Sequence, residues 1–400
     1  MPDLAPLIAS HRVLVCVGSG GVGKTTTAAS LALWGALHGR RTAVVTIDPA
    51  KRLADCLGLS TVDSPEEPLP PEIFAQYGLS PSGTLTALLV DQQGAWDAAV
   101  KRYAPTPEIA ERILANRFYQ GLSRTFAGSH EYMALDTLAT LVQRGTYDLI
   151  VVDTPPTRQA LEFLEAPLRL QRFLDSPASK FFVRSATASG WAAFSVMNRT
   201  ATFLLRKIEE ATGITALEEI IEFFTSMQRM FTDFGDRFSR VSALLASADT
   251  AFFLVTSPEE EVLTEADEFR VGLERLGVTL KGVIANRVHA EWRGQMPRRE
   301  GLSRLVERIR PAFHLTPGDR EQFQWLVQNF LAYQARARGE AKRLECFSGK
   351  FPTSIPVVQI PALLAFPADL GGVMTLHQYL CGEDNPKPSH RIRATENKQH

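Results

Sequence analysis

The chain has 400 residues, of which 45% are hydrophobic and 22% are charged, and its formal net charge is −1. This composition is that of an ordinary globular protein. The near-zero charge argues against a chain whose main task is to bind nucleic acid, because that task usually needs a basic excess.

Two further features bear on where the protein works. No apolar run reaches the roughly 20 residues that span a bilayer, and the N-terminal sequence shows no signal peptide. The four cysteines are far apart and include no CxxC pair, which is typical of a reducing compartment and offers no zinc motif. We therefore expect a cytoplasmic protein that binds neither zinc nor nucleic acid.

Seven short apolar runs, separated by helical stretches, predict the strands of a sheet. They are Val13 to Val17, Thr42 to Ile47, Thr84 to Val90, Leu149 to Val152, Ala251 to Val255, Gly282 to Ala285 and Val357 to Ile360. Most are continuously apolar, as expected of strands that helices cover on both faces. Their alternation with helical patterns predicts an α/β fold with a mainly parallel sheet flanked by helices.

Two stretches interrupt this alternation. Thr61 to Gly83 is rich in proline and is interpreted as a surface loop. From about residue 165 to 247 there is no convincing strand, and helical periodicity predicts a helical insertion. We expect a single domain over residues 1–380 that contains this insertion, followed by a disordered polar tail over 383–400.

A long amphipathic helix is predicted near the C-terminal end, over Gln322 to Arg343. Four of its apolar residues recur at helical spacing, and we expect them to face inward. These residues are Phe323, Leu326, Phe330 and Tyr333.

A glycine-rich segment follows the first predicted strand and opens a helix. Gly18 to Thr25 reads GSGGVGKT and matches GxxxxGK[ST], a loop whose backbone N–H groups cradle phosphates. Lys24 would neutralise β- and γ-phosphate oxygens and is a candidate catalytic residue, while the Thr25 hydroxyl would coordinate Mg²⁺. The alternative is a purely structural glycine turn. The candidate nucleotide-binding residues are Gly20, Gly21, Val22, Gly23, Lys24, Thr25 and Thr26.

An aspartate ends the fourth predicted strand, in the segment DLIVVDTPPT. Asp153 stands where a P-loop fold holds the carboxylate that is linked to Mg²⁺, and we expect that contact to run through water. An isolated aspartate at a strand end is usually a turn former or a helix cap. Its pairing with the glycine-rich segment favours the metal role.

Three segments together resemble a known family. GSGGVGKT, DPAKRLAD and DTPPTRQALEFL follow one another in the order of the GKGGVGKT, DPAH-like and DTAPTGH-like segments of the arsenite-pump ATPase ArsA and the tail-anchored-protein targeting ATPases. The resemblance extends from about residue 10 to 380. It implies an ATPase that works as a nucleotide-switched dimer, in the wider class that contains the MinD and ParA ATPases.

The resemblance also implies roles for individual residues. Asp48 corresponds to the aspartate that orients the attacking water, the alternative being an Asx-Pro turn at a strand end. Asn286, in VIANR, corresponds to the asparagine that reads the adenine edge, for which an amide offers a donor and an acceptor. Pro361, in VQIPAL, corresponds to the loop that covers the base. Asp55 is assigned no catalytic role.

One position departs from the family pattern. Ser19 stands where the family usually has a lysine that reaches the nucleotide of a dimer partner. Serine cannot supply that charge, so hydrolysis is slower or relies on another cation, with Arg52 and Arg158 as candidates. The resemblance is compatible with a homodimer or with a heterodimer formed with a paralogue.

The partner is left open by the sequence. The aromatic and methionine residues of the insertion are interpreted as the insertion's own core, as a dimer surface, or as a groove for a hydrophobic client. Metalloid binding is not expected, because a thiophilic centre needs about three convergent thiolates. Two rival functions remain, a MinD/ParA-like positioning ATPase and a hydrolysis-poor ATP-binding scaffold.

Overall fold

The computed structural model of the chain covers most of the predicted sheet and its helices. The described residues are 3–47, 52–59, 67–90, 97–98, 100–102, 104, 106–116, 119–120, 129–156, 160–161, 164–165, 172, 239–291, 319–363 and 369–382. The predicted insertion, residues 165–247, lies outside the described residues except for 165, 172 and 239–247. The predicted tail, 383–400, lies outside them entirely. The single-domain organisation therefore stays a prediction.

Seven strands form one sheet in which every neighbouring pair is parallel, in the order β3-β2-β4-β1-β5-β6-β7. The strands are β1 (Val13–Gly18), β2 (Arg41–Thr46), β3 (Thr84–Leu89), β4 (Leu149–Asp153), β5 (Thr250–Thr256), β6 (Leu280–Val288) and β7 (Val357–Pro361). All seven predicted strands and the predicted α/β class are confirmed. β6 alone extends beyond its predicted limits at both ends by more than one residue.

Helices flank this sheet. Those with described bounds are α1 (Ala5–Ser10), α2 (Lys24–Leu37), α3 (Arg52–Leu57), α4 (Pro71–Ala75), α5 (Pro107–Ala115), α6 (Ser129–Arg144), α7 (Glu260–Arg275), α8 (Asp319–Ser348) and α9 (Leu370–Cys381). Among the described helices, none combines the length and the apolar character needed to cross a membrane.

The apolar strands are buried on both faces, which accounts for their continuous hydrophobic sequences. In β1, Val13, Val15 and Val17 belong to the core on one side of the sheet, and Leu14 and Cys16 belong to the core on the other. This division follows from the strand geometry, in which successive side chains point to opposite faces. The central strands therefore lie between two apolar cores, one on each face of the sheet.

Helix α2 packs closely on the second core. A Cβ at Gly35 would lie less than 3 Å from side-chain atoms of Thr42 and Leu149, so the glycine lets the helix approach β2 and β4. On its other side α2 contacts α9, where the Ser30 hydroxyl donates a hydrogen bond to the Val373 carbonyl at 2.9 Å. Gly35, near the end of α2, thus packs beside the first residues of β2 and β4, and the start of the helix lies at the opposite, carboxyl edge of the sheet.

The prediction of a surface loop over Thr61 to Gly83 is wrong for one short helix and two buried side chains within its described part. Leu69 and Phe74 are buried in the core, and Phe74 lies in the short helix α4. The prolines explain the error, because Pro70 and Pro71 occupy the cap and the first turn of α4, where a missing N–H costs nothing. They begin a helix here instead of marking a loop.

The long helix α8 is confirmed and is longer than predicted, but its predicted inward face is wrong. Leu326, Phe330 and Tyr333 are 56%, 41% and 40% exposed, and the side chain of Phe323 lies outside the described residues. The buried positions lie further along, at residues such as Leu344 and Phe347. Apolar periodicity identified the helix, but it did not show which turns pack on the sheet.

Candidate active site

The glycine-rich loop connects the end of β1 to the start of α2. Gly21 has φ +76° and Gly23 has φ +99°, a region that residues with a Cβ rarely adopt. Gly23 is also the N-cap of α2, so the loop leads directly into the first turn of the helix. A strand, a glycine loop and the N-terminus of a long helix provide the backbone N–H groups that bind phosphate.

The side chain of Lys24 turns back over this loop. Its Nζ donates a hydrogen bond to the Ser19 carbonyl at 2.9 Å, and the residue is only 7% exposed. A buried ammonium needs compensating partners, and a loop built to receive phosphate offers them. The structure thus places the Lys24 ammonium beside the glycine-rich loop, and its contact with phosphate stays a prediction.

Asp153, at the end of β4, accepts hydrogen bonds from two other elements. The Thr25 hydroxyl, in the first turn of α2, donates to Asp153 Oδ2 at 2.7 Å. The Thr46 hydroxyl, at the end of β2, donates to the same oxygen at 3.0 Å. Asp153 is 1% exposed. Its carboxylate therefore forms a buried link between β4, α2 and β2 beneath the glycine loop.

Thr46 is a site residue that the sequence reasoning missed. It lies in the quoted segment TIDPAKRLAD but was assigned no role. Thr46 and Asp153 are register partners in neighbouring parallel strands. That pairing depends on the strand order, which a single sequence does not reveal, so the sequence carried no clear signal for Thr46.

Thr25 and Asp153 fit a magnesium ion. Mg²⁺ prefers oxygen ligands, and it usually takes one or two from the protein and the rest from water and phosphate. The Thr25 hydroxyl donates its hydrogen to Asp153 at 2.7 Å, so its oxygen lone pairs remain available to a metal ion, and the Asp153 carboxylate can still accept from a metal-bound water. In the described part of the chain, no cluster of three or more His, Cys, Asp or Glu could hold a metal by itself.

Two cysteines lie beside this site but are poorly suited to chemistry. Burial raises the pKa of the Cys16 thiol, and the neighbouring Asp153 carboxylate raises it further. Burial likewise raises the pKa of Cys56, whose Sγ lies 3.7 Å from the Thr26 hydroxyl. Both therefore remain protonated at neutral pH, and a thiol, unlike a thiolate, is a weak nucleophile and metal ligand.

Asn286, near the end of β6, contacts the glycine loop directly. Its Nδ2 donates to the Val22 carbonyl at 2.8 Å, and its Oδ1 accepts from the Arg287 N–H at 2.9 Å. Pro361 ends the neighbouring strand β7 and is the register partner of Val288. Both candidate base-binding residues thus lie at the carboxyl edge of the sheet, where open α/β folds bind ligands.

The remaining predicted residues are only partly described. Asp48 and Arg158 lie outside the described residues. Arg52 is described as the first residue of α3. Gly20 lies near Pro156 of the segment that follows β4, since a Cβ at Gly20 would be 3.9 Å from the Pro156 ring. That segment therefore borders the loop.

The first strand of the parallel sheet leads through GxxxxGK[ST] into a helix, and a strand-end aspartate contacts the loop threonine. These features together define a P-loop NTPase. The chain belongs to the anion-transporting ATPase family, whose profile matches residues 11–314. It is accordingly an ATP-hydrolysing enzyme, and the predicted family is confirmed.

Proteins that are similar to this chain at modest identity are named as ATPases, which agrees with this assignment. ATPase ASNA1 homolog 1 of Paramecium tetraurelia is 24% identical over 283 residues, covering 68% of this chain and 73% of the relative. ATPase GET3 of Malassezia globosa is 23% identical over 283 residues, covering 70% and 73%. A protein of Aquifex aeolicus provisionally named arsenical pump-driving ATPase 1 is 24% identical over 296 residues, covering 70% and 64%.

Proposed function

We propose that the chain is a Mg²⁺-dependent ATPase in which ATP binding and hydrolysis switch a dimer, and that this dimer drives a partner in anion transport or membrane-protein targeting. The observation that carries the proposal is the convergence of Thr25 and Thr46 on one oxygen of Asp153. These two hydrogen bonds connect the glycine-rich loop to the last residue of β2, and Asp48 follows that residue by two positions in the sequence.

The chain's own residues have distinct tasks in this proposal. The backbone from Gly20 to Thr26 cradles the phosphates, and Lys24 neutralises charge on the β- and γ-phosphate oxygens. Thr25 and Asp153 would hold Mg²⁺, Asp153 through water, and the bound ion would offset the negative charge that develops on the transferring phosphate. Asn286 reads the adenine edge, and Pro361 covers the base.

Asp48 positions the attacking water. The water oxygen forms a bond to the γ-phosphorus, the bond to the β–γ bridging oxygen breaks, and ADP and phosphate leave. Catalysis of this reaction depends mainly on positioning and charge stabilisation, so an aspartate that orients water is sufficient protein chemistry. Loss of the γ-phosphate removes the group that Lys24 and Asp48 serve, and in this proposal that loss returns the dimer to its starting state.

The partner is inferred from the resemblance alone. One relative's name describes it as driving an arsenical pump, and the resemblance to targeting ATPases suggests a hydrophobic client. Either a homodimer or a heterodimer with a paralogue is compatible with these functions. We also retain the predictions of a cytoplasmic location and of no nucleic-acid partner.

A second candidate is an ATPase with poor turnover of its own that a paralogue completes. Ser19 favours this candidate because it is a short, uncharged side chain that is only 3% exposed, so it offers no charge to the nucleotide of another subunit. Within the described residues its hydroxyl has no hydrogen-bond partner. The position that carries a lysine in much of the family is thus occupied by a short, buried side chain.

Turnover of variants tests the proposal. We expect the wild type to hydrolyse Mg-ATP, Lys24→Ala to lose nucleotide binding, and Asp48→Asn to retain binding while turnover falls roughly 100-fold. Asp55→Asn is the matched control, because Asp55 is an exposed aspartate in the same DPAKRLAD segment and has no assigned role. Binding without turnover in the wild type would favour the paralogue-dependent candidate, and equal turnover in Asp48→Asn would contradict the role of Asp48.

A further inference from the structure

Asn286 is engaged at both ends of its side-chain amide. Nδ2 donates to the Val22 carbonyl of the glycine loop, and Oδ1 accepts from the Arg287 N–H of its own strand. The residue is 9% exposed. One buried side chain therefore joins the nucleotide loop to β6, across 264 positions of sequence.

The strand is shaped to present this side chain. Ala285 pairs with Gln359 and Val288 with Pro361, so three steps along β6 match two steps along β7, which is a bulge of one extra residue. Within the bulge Arg287 has φ 60°, and it is the one non-glycine residue with positive φ in the described part of the chain. The bond from the Arg287 N–H to Asn286 Oδ1 stabilises this unusual backbone.

The loop is shaped to receive the side chain. A Cβ at Gly23 would lie less than 3 Å from Asn286 Nδ2, so only glycine leaves room for the amide at this position. The peptide unit between Val22 and Gly23 is trans and planar, so its carbonyl and its N–H point in opposite directions. A carbonyl held toward Asn286 therefore holds the Gly23 N–H away from it.

We propose that Asn286 is a positioning residue for the phosphate-binding loop, through its bond to the Val22 carbonyl, in addition to any contact with the base. The inference rests on the proposed nucleotide-binding function and deepens it. By holding the Val22–Gly23 peptide in one orientation, Asn286 pre-organises the N–H donors that receive phosphate. Pre-organisation of this kind raises affinity, because the free energy of binding does not have to offset the entropy lost in ordering the loop.

The same side chain still has capacity for a base. An amide nitrogen carries two hydrogens and an amide oxygen has two lone pairs, and the two observed bonds use one of each. One donor and one acceptor remain, which is the pair that an adenine edge requires. The loop contact and the base contact are thus compatible, and they make separable predictions.

A ligand without a base separates the two roles. We would measure the Kd of Mg-pyrophosphate and of Mg-ADP by titration calorimetry for the full chain and for Asn286→Ala. We expect pyrophosphate binding to weaken roughly fivefold, as for loss of a neutral hydrogen bond, and ADP binding to weaken further. Asn286→Asp is the second variant, because it keeps the acceptor for Arg287 N–H but cannot donate to Val22, and we expect it to weaken pyrophosphate binding as well.

Asn116→Ala is the matched control. Asn116 is also 9% exposed, and its Oδ1 also accepts a backbone N–H, from Tyr119 at 3.1 Å, but it is the C-cap of α5. Its loss should lower the unfolding midpoint without changing pyrophosphate affinity. Weaker ADP binding with unchanged pyrophosphate binding in both Asn286 variants would overturn the positioning role and leave the proposed function intact. A wild type that binds neither ligand would overturn the proposed function itself.

Discussion

The Thr25 hydroxyl lies 2.7 Å from Oδ2 of Asp153, although 128 positions separate the two residues in the chain. The parallel sheet produces this contact, because β1 and β4 are hydrogen-bonded neighbours whose carboxyl ends share an edge. Thr25 belongs to the helix that follows β1, and Asp153 ends β4. The contact joins the phosphate-binding loop to the strand that precedes the Pro155-Pro156 segment.

Substitution of Asp153 by asparagine should remove most magnesium-dependent turnover. Asp153→Asn would place an uncharged amide where the carboxylate accepts both threonine hydroxyls, so we expect turnover to fall by roughly 100-fold or more. The measurement is a titration of Mg²⁺ against phosphate release at saturating ATP. Unchanged turnover and unchanged Mg²⁺ dependence in this variant would contradict the assignment of the metal site.

Thr46→Val should act on turnover and leave nucleotide affinity unchanged. The substitution keeps the side-chain volume but removes the hydroxyl that donates to Asp153 Oδ2 at 3.0 Å. Hydrogen bonds to charged groups contribute more than neutral ones, so we expect turnover to fall roughly tenfold. Steady-state turnover and the Kd of Mg-ADP would be measured together. A variant whose affinity falls while turnover at saturation is unchanged would show that Thr46 serves binding.

The glycines of the loop should differ in their tolerance of alanine. Gly23→Ala meets two obstacles, a φ of +99° and a Cβ less than 3 Å from Asn286, and should lower the free energy of unfolding by at least about 2 kcal/mol. Gly21→Ala is the matched control, because its φ is +76° but no atom lies within 4 Å of the added Cβ. We expect it to cost about 1 kcal/mol.

Urea unfolding of both variants measures this difference. Gly23→Ala should also lose affinity for Mg-ADP, because the loop must move away from Asn286 to accept the methyl group. Equal destabilisation of the two variants would mean that backbone strain alone, and not the packing against Asn286, limits the position. That result would also weaken the case for a loop held by Asn286.

An ion pair at the other edge of the sheet predicts a pH dependence of stability. Arg41 donates side-chain and backbone hydrogen bonds to Asp148, and these lower the pKa of Asp148 to about 2. Because the folded pKa lies below the unfolded one, the stabilisation is present above about pH 4 and is lost as the pH falls toward 2. Asp148 is 42% exposed, so solvent screening limits the effect to about 1 kcal/mol or less.

Asp148→Asn tests this pH dependence. The free energy of unfolding of the variant should lie below that of the wild type at pH 6, and the two should converge as the pH approaches 2. Urea unfolding at a series of pH values provides the comparison. A constant difference between the two proteins from pH 6 to pH 2 would show that the carboxylate charge of Asp148 contributes nothing to stability.

The sheet and the loop were predictable from sequence because each has a strong local cause. A continuous apolar run such as Val13 to Val17 is stable mainly as a strand that is buried on both faces. The segment GSGGVGKT needs its glycines because the loop adopts positive φ angles that residues with a Cβ rarely adopt. Tertiary contacts were less accessible. The link from Thr46 to Asp153 required the strand order, which places β2 beside β4, and sequence periodicity does not encode that order.

The same distinction explains the errors. Apolar spacing predicted α8, but Leu326 and Tyr333 are exposed because the helix packs on the sheet through its later turns. The bond between Asn286 and the Val22 carbonyl arises from a bulge at Arg287, and a bulge leaves no clear pattern in a single sequence. The alignment of motifs identified Asn286, but only the structure connects it to the loop.

Solution mass tests the central claim, a dimer switched by nucleotide, most directly. Light scattering would be recorded without nucleotide, with Mg-ADP and with Mg-ATP, for the wild type and for Asp48→Asn, which should retain ATP. The account predicts twice the monomer mass of 44.2 kDa with Mg-ATP, most completely in Asp48→Asn, and a return to lower mass after hydrolysis in the wild type. A mass of 44.2 kDa in every nucleotide state, with ATP bound, would contradict the nucleotide-switched homodimer and direct attention to a paralogous subunit.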